Sequence, residues 1–235
     1  MFDPLIDVSW TAGLLWLAGI ATSGFLVSWI LSDVRPTKRV LYIPVLALVS
    51  GALTAGYLLW SDAGTAFWTN RWGYGIVGAV LAGGLLNALL NRRIPHVTPH
   101  AITARTLGWD GLVYGAAEGL LLSVLPVVVT WQMLSSNGWS SGWRSIAAGA
   151  LALVASVAVI VIHHLGYPDF RGAKMSQAVL GCGILSIAYL LTASVIAPIV
   201  AHAVLHMVIV RKGMELPPHE ETHEAGVSNI IRAAA

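Results

Sequence analysis

Two sets of residues in this 235-residue chain have the types and spacing for chemistry. The first is the string HEETH, residues His219, Glu220, Glu221, Thr222 and His223. On a helix, H-E-x-x-H places two histidines one turn apart to hold zinc, with the glutamate beside the first as general base. The second set is dispersed through apolar sequence: Glu118, the adjacent pair His163 and His164, and the pair His202 and His206, with Asn87 a weaker addition. Histidines four residues apart project from one helical face, so His202 and His206 can share a metal ion or hold one activated water. Glu118 lies in YGAAEGLLL, where small neighbours permit close helix contact. A carboxyl group in such a setting suits general acid or base work. Glutamate and histidines at one site are a workable kit for activating water against an amide.

These residues must be positioned by membrane helices. Hydrophobic residues make up 57% of the chain and charged residues only 10%, with a mean hydropathy of +0.76. Soluble domains carry roughly a quarter charged residues. Ten tryptophans fit the same class, since indoles favour the membrane–water interface. A net charge of +2 is too small to suggest nucleic acid binding, and the single Cys182 excludes an intrachain disulfide framework. The start, MFDPLIDVSW, is acidic and lacks a basic n-region, so no cleavable signal peptide is expected.

A helix crosses the hydrocarbon core in roughly 20 apolar residues. Seven segments are predicted, at about 10–31, 39–60, 72–91, 109–132, 146–165, 175–192 and 194–211. The last two share one long apolar run whose least apolar break is TAS at 192–194. Basic clusters follow the odd-numbered segments: Arg35, Lys38 and Arg39; Arg92, Arg93 and Arg105; Arg171 and Lys174; Arg211 and Lys212. The alternate loops hold only Arg71 and Arg144, and the N-terminus carries Asp3 and Asp7. The positive-inside rule then predicts an external N-terminus and a cytoplasmic C-terminus. The expected fold is all-α: a polytopic bundle of about seven transmembrane helices in one domain over 1–212, with a polar cytoplasmic tail over 213–235.

At a rise of roughly 1.5 Å per residue, Glu118 lies about 12 Å in from the cytoplasmic side. His206 and His202 lie about 7 and 13 Å in, and His163 and His164 within about 3 Å of the edge. Ionisable residues in spans usually face the bundle interior and mark a functional path, and these five share the cytoplasmic half of three helices. A lone intramembrane histidine is often only an interhelical hydrogen-bonder, and a histidine at the boundary can snorkel. HEETH falls instead in the polar tail after Pro217 and Pro218. A zincin helix is buried against a core that supplies a third ligand, and this tail has no apolar face to bury. It reads as a solvated charge cluster or a weak adventitious metal binder.

The run GCGILSIAYLLTASVIAPIVAHAVLHM resembles the third motif of the CPBP family, the CAAX-prenyl endoproteases, bacteriocin-processing enzymes and their intramembrane relatives. That pattern is a glycine-containing helix, a Thr/Gly-Ser break, then apilaHaxxN. Gly181, Gly183, Thr192, Ser194, Ala197, Pro198, Ile199, Ala201 and His202 match it, and His206 takes the asparagine's place. The first motif, EExxxR, is half present in AAEGLLLSV: with Glu118 as the first glutamate, Gly119 and Ser123 replace the second glutamate and the arginine. Registered on the second glutamate, it leaves Ala117 and Leu122 at the other two positions. The second motif, FxxxH, is approximated by IVIHHL, as His164 with Ile160 or as His163 with Val159. The resemblance covers about residues 110–210.

That resemblance implies an intramembrane peptidase in the cytoplasmic membrane, cleaving a membrane-embedded or lipidated peptide or protein by water activation. Glu118 would be the base, His164 and His202 its partners, and His206 the group in the asparagine's place. Zinc or another divalent metal held by His163, His164, His202 and His206 stays open beside a metal-independent mechanism. Two rivals stay open as well: a catalytically silent membrane binding or scaffold protein, favoured by the missing arginine, and a carrier of haem or a metal on the paired histidines.

Overall fold

The computed structural model describes residues 8–93 and 102–212. Among them all regular structure is helical, and six helices are long and apolar enough to cross a membrane. They are α1 (Trp10–Val34), α2 (Arg39–Ser61), α3 (Trp72–Arg92), α4 (Ala104–Ser136), α5 (Gly142–Leu165) and α6 (Lys174–Thr192). A seventh apolar helix, α7 (Ile196–Arg211), has 16 residues, about 24 Å against a hydrocarbon core of about 30 Å. This is a multi-pass membrane protein. The HEETH string and the rest of the 213–235 segment lie outside the described residues, as do Asp3 and Asp7.

Local signals set the helix ends. Ser9 caps α1, its hydroxyl accepting from the Ala12 N–H. Thr103 and Thr106 form a reciprocal capping box at the start of α4. The TAS break separates α6 from α7: Ala193 adopts a left-handed conformation with φ 53°. A left-handed alanine costs roughly 1–2 kcal/mol, and its carbonyl accepts from the Asn70 side chain at 3.1 Å.

α4 is the pillar of the bundle. It packs against α1, α2, α5, α6 and α7, while α3 lies outside against α6 and α7. In its most apolar stretch 78% of α4 is buried, against 22–39% in the other five long helices. It is longer than the predicted 109–132 at both ends, and two stretches, Leu107–Val113 and Gly119–Val124, wind as wider π-helical turns. Such turns, and prolines, leave backbone carbonyls without their usual partner. Pro126 has no N–H to offer the Leu122 carbonyl, which instead accepts from Ser156 on α5 at 2.7 Å. The Ala117 carbonyl accepts from Ser50 on α2 at 2.9 Å. In lipid every backbone group must be satisfied within the protein, and serines on neighbouring helices satisfy these.

Three glycines one turn apart on α4, Gly111, Gly115 and Gly119, let α7 come close. A Cβ on Gly115 would stand 2.7 Å from the Ala203 Cα and 2.8 Å from the His202 carbonyl oxygen. One on Gly119 would stand 3.1 Å from the Ile199 Cα. Close backbone approach across small residues is the usual way membrane helices associate, and here it brings Glu118 alongside the α7 histidines.

Candidate functional site

Glu118 is the centre of the buried polar cluster. On one side its Oε1 lies 3.4 Å from Nε2 of His163 at the end of α5. On the other, its Oε2 lies 3.4 Å from Nε2 of His202 and 3.0 Å from Nε2 of His206, both on α7. All four side chains are buried. Three helices, far apart in sequence, thus present one carboxylate and three imidazoles to one point.

The predicted site residues divide accordingly. Glu118, His202 and His206 come together as the sequence places them. His163, rather than His164, is the α5 histidine that meets the carboxylate. Neighbouring residues on a helix differ by about 100° in direction, and His164 turns Nδ1 to its own helix, donating to the Ile160 carbonyl at 2.8 Å. Its ring packs on Phe170 and Tyr167. Asn87 lies on α3, where its amide oxygen accepts from Asn91 at 3.4 Å. Gly119 and Ser123, the positions that depart from EExxxR when Glu118 is registered first, both face neighbouring helices. Gly119 is pressed against α7, and Ser123 donates to the Cys182 carbonyl at 3.4 Å.

Three tyrosines join the site that sequence reasoning passed over. The Tyr167 hydroxyl lies 3.2 Å from His163 Nε2 and 3.3 Å from the Tyr114 hydroxyl, and it is hydrogen-bonded to the Tyr42 hydroxyl. A signal was present: Tyr114 precedes Glu118, and His163 precedes Tyr167, each by one helical turn. On its far side His163 donates from Nδ1 to the Gly24 carbonyl of α1 at 2.9 Å. The assignment of that proton is forced, since a carbonyl can only accept. Ser28, also on α1, donates to the His163 carbonyl at 2.6 Å. The loop after α5 is tied down outside the site by an Arg171–Asp33 ion pair.

Three of these side chains could together hold a metal ion. Glu118, His202 and His206 each offer one ligand atom, all within 4.8 Å of one another. A tetrahedral zinc with bonds of 2.0–2.1 Å would space its donors about 3.3 Å apart, close to the 3.0 and 3.4 Å seen between the carboxylate and the two rings. Metal-bound histidines almost always donate their second ring N–H to a carboxylate, a carbonyl or water; among the described residues no protein group meets Nδ1 of His202 or of His206. If both rings carry their proton on Nε2 and donate to Glu118, no buried donor is orphaned. That tautomer accounts for the geometry without an ion.

No family model, curated protein or solved structure shows a significant match to this chain.

Proposed function

We propose that this chain is a divergent CPBP-type intramembrane peptidase that hydrolyses a membrane-embedded or lipidated peptide. The observation that carries the reading is the convergence of Glu118, His163, His202 and His206 from three helices. They follow the chain order Glu, His, His of the family pattern, with the second motif registered as His163 on Val159. The distribution of arginine and lysine supports a cytoplasmic-membrane protein of seven spans, the short α7 included, with its N-terminus outside and its site opening toward the cytoplasm.

The chemistry follows from the contacts. Glu118 accepts a proton from a water molecule, and the resulting hydroxide adds to the scissile carbonyl carbon. Once the carboxyl is protonated, the Nε2–H groups of His202 and His206 lose their charged acceptor and are free to donate to the oxyanion that forms beside them. The proton on Glu118 then passes to the leaving amine as the C–N bond breaks. Fixed donors in a water-poor site stabilise developing charge far better than they would in water. His206 stands in the asparagine's place and brings an N–H to the same task.

A second reading rests on Gly119 and Ser123. The second glutamate and the arginine of the family pattern are absent, and their positions serve helix packing. A catalytically silent protein that binds membrane-embedded partners would keep the fold and lose the reaction.

Turnover of a lipidated or membrane-spanning peptide by the purified chain in proteoliposomes separates the two. Wild-type turnover that falls by about 10²–10⁴-fold in Glu118→Gln, and falls as well in His202→Ala, supports the peptidase. Equal turnover in all three removes it, and a silent wild type beside retained partner binding selects the second reading. A chelator should leave turnover unchanged. Loss on chelation with recovery on adding zinc would instead make Glu118, His202 and His206 ligands.

A further inference from the structure

The buried hydrogen bonds around His163 carry an inference about how the site is held. Its ring is gripped at both nitrogens. Nδ1 donates to the Gly24 carbonyl at 2.9 Å, which leaves Nε2 to face Glu118 Oε1 at 3.4 Å and the Tyr167 hydroxyl at 3.2 Å. We infer that Tyr167 is a positioning residue, whose hydroxyl holds the His163 ring against the Glu118 carboxylate. This deepens the peptidase reading and, as a statement about catalysis, rests on it.

A phenol suits this place because of what it can exchange. Its hydroxyl has one hydrogen to donate and two lone pairs to accept with. It can therefore stay bonded to Nε2 whether that nitrogen offers a lone pair or an N–H. A phenylalanine could do neither. The hydroxyl is itself fixed. Tyr42 from α2 bonds to it, and Tyr114 from α4 lies 3.3 Å away. If Tyr167 donates to Nε2, its two lone pairs are available to the Tyr42 and Tyr114 hydroxyls, and all its bonding capacity is used. All three rings are fully buried and touch edge to face or tilted.

Besides the Tyr42 and Tyr114 hydroxyls, the Tyr167 hydroxyl meets the His163 ring. The residue stands two residues past the end of α5, where the Gly166 and Tyr167 N–H groups close the helix on the carbonyls of His163 and His164. Gly166 lies so close to Ser28 that a side chain there would collide with it. The turn that seats the phenol is thus built against α1, next to the Gly24 carbonyl that holds the opposite edge of the imidazole.

The test compares wild type, Tyr167→Phe and Tyr42→Phe, with ring-¹⁵N-labelled histidine and assignment of His163 by its loss in His163→Gln. Thermal unfolding verifies that each variant folds. In Tyr167→Phe the Nε2 resonance of His163 should shift while those of His202 and His206 stay in place. Peptide turnover should fall about tenfold in kcat with KM unchanged, the scale of one lost hydrogen bond. Tyr42→Phe should shift the same resonance less. An unchanged His163 resonance in folded Tyr167→Phe overturns the inference. A shifted resonance in a protein whose wild type cleaves nothing upholds the positioning and overturns the peptidase instead.

Discussion

The two oxygens of Glu118 are held in opposite ways. On the Oε1 side, His163 is fixed by hydrogen bonds: Gly24 at Nδ1, Tyr167 at Nε2, with Tyr42 and Tyr114 behind. On the Oε2 side, Nδ1 of His202 and of His206 meets no hydrogen-bond partner among the described residues. These rings are fixed by the backbone instead, through the approach of α7 to Gly115 and Gly119. One side is a polar network whose members can exchange protons while keeping their places. The other presents Nε2 of His202 and of His206 to the carboxylate, and under the proposed reaction these are the groups that would follow charge to a substrate.

Substitutions can break this contrast at different depths. The largest effect is expected from Glu118→Gln, which removes the carboxylate that both sides face and should lower turnover by about 10²–10⁴-fold. Next is Gly115→Val, which drives α7 away from α4. Overpacking of this kind typically costs about 1–3 kcal/mol, so thermal unfolding should move down and turnover should fall by about a hundredfold, while the His163 ring resonances stay near their wild-type positions. Ser156→Ala acts on the pillar below the site. It uncovers the Leu122 carbonyl and should cost about 1–3 kcal/mol of stability, read by denaturation in detergent, with turnover retained in the folded fraction. A small effect on turnover is expected for His164→Gln, below about threefold, because its ring does not reach the carboxylate. A loss equal to that of His163→Gln would erase the distinction between the adjacent histidines. Removing residues 214–235 should also leave turnover in place, and its complete loss would return the HEETH string to the argument.

The apolar runs made the helices legible, because a segment of about 20 residues with few charges has little choice in lipid. The agreement in depth of Glu118, His202 and His206 was legible for a related reason: each is placed by counting residues from a helix end. Direction around the helix axis was not. At 163 and 164 both residues are histidine and both flanks are apolar, so nothing in the local pattern distinguishes the inward ring from its neighbour. The inward choice is made by the Gly24 carbonyl on α1, some 140 positions away, and by Tyr167. The length of α4 was missed because its ends, Ala104–Gly108 and Met133–Ser136, are less apolar than its middle; the first is started by the Thr103–Thr106 capping box, and in the second Met133, Leu134 and Ser135 are buried. The tyrosines escaped notice because each is an ordinary interfacial residue until three helices bring their hydroxyls together.

The brevity of α7 has a consequence for the lipid around it. At about 24 Å it falls some 6 Å short of an average hydrocarbon core, whereas the 33-residue α4 exceeds it and is shielded by its neighbours. Were α7 the seventh span proposed above, a bilayer would thin beside it or draw its ends inward, at a fraction of a kcal/mol per Å. Longer acyl chains would therefore strain the element that carries His202 and His206 and leave Glu118 where it is. Bilayer thickness would then bear on the distance between the carboxylate and the two rings of α7.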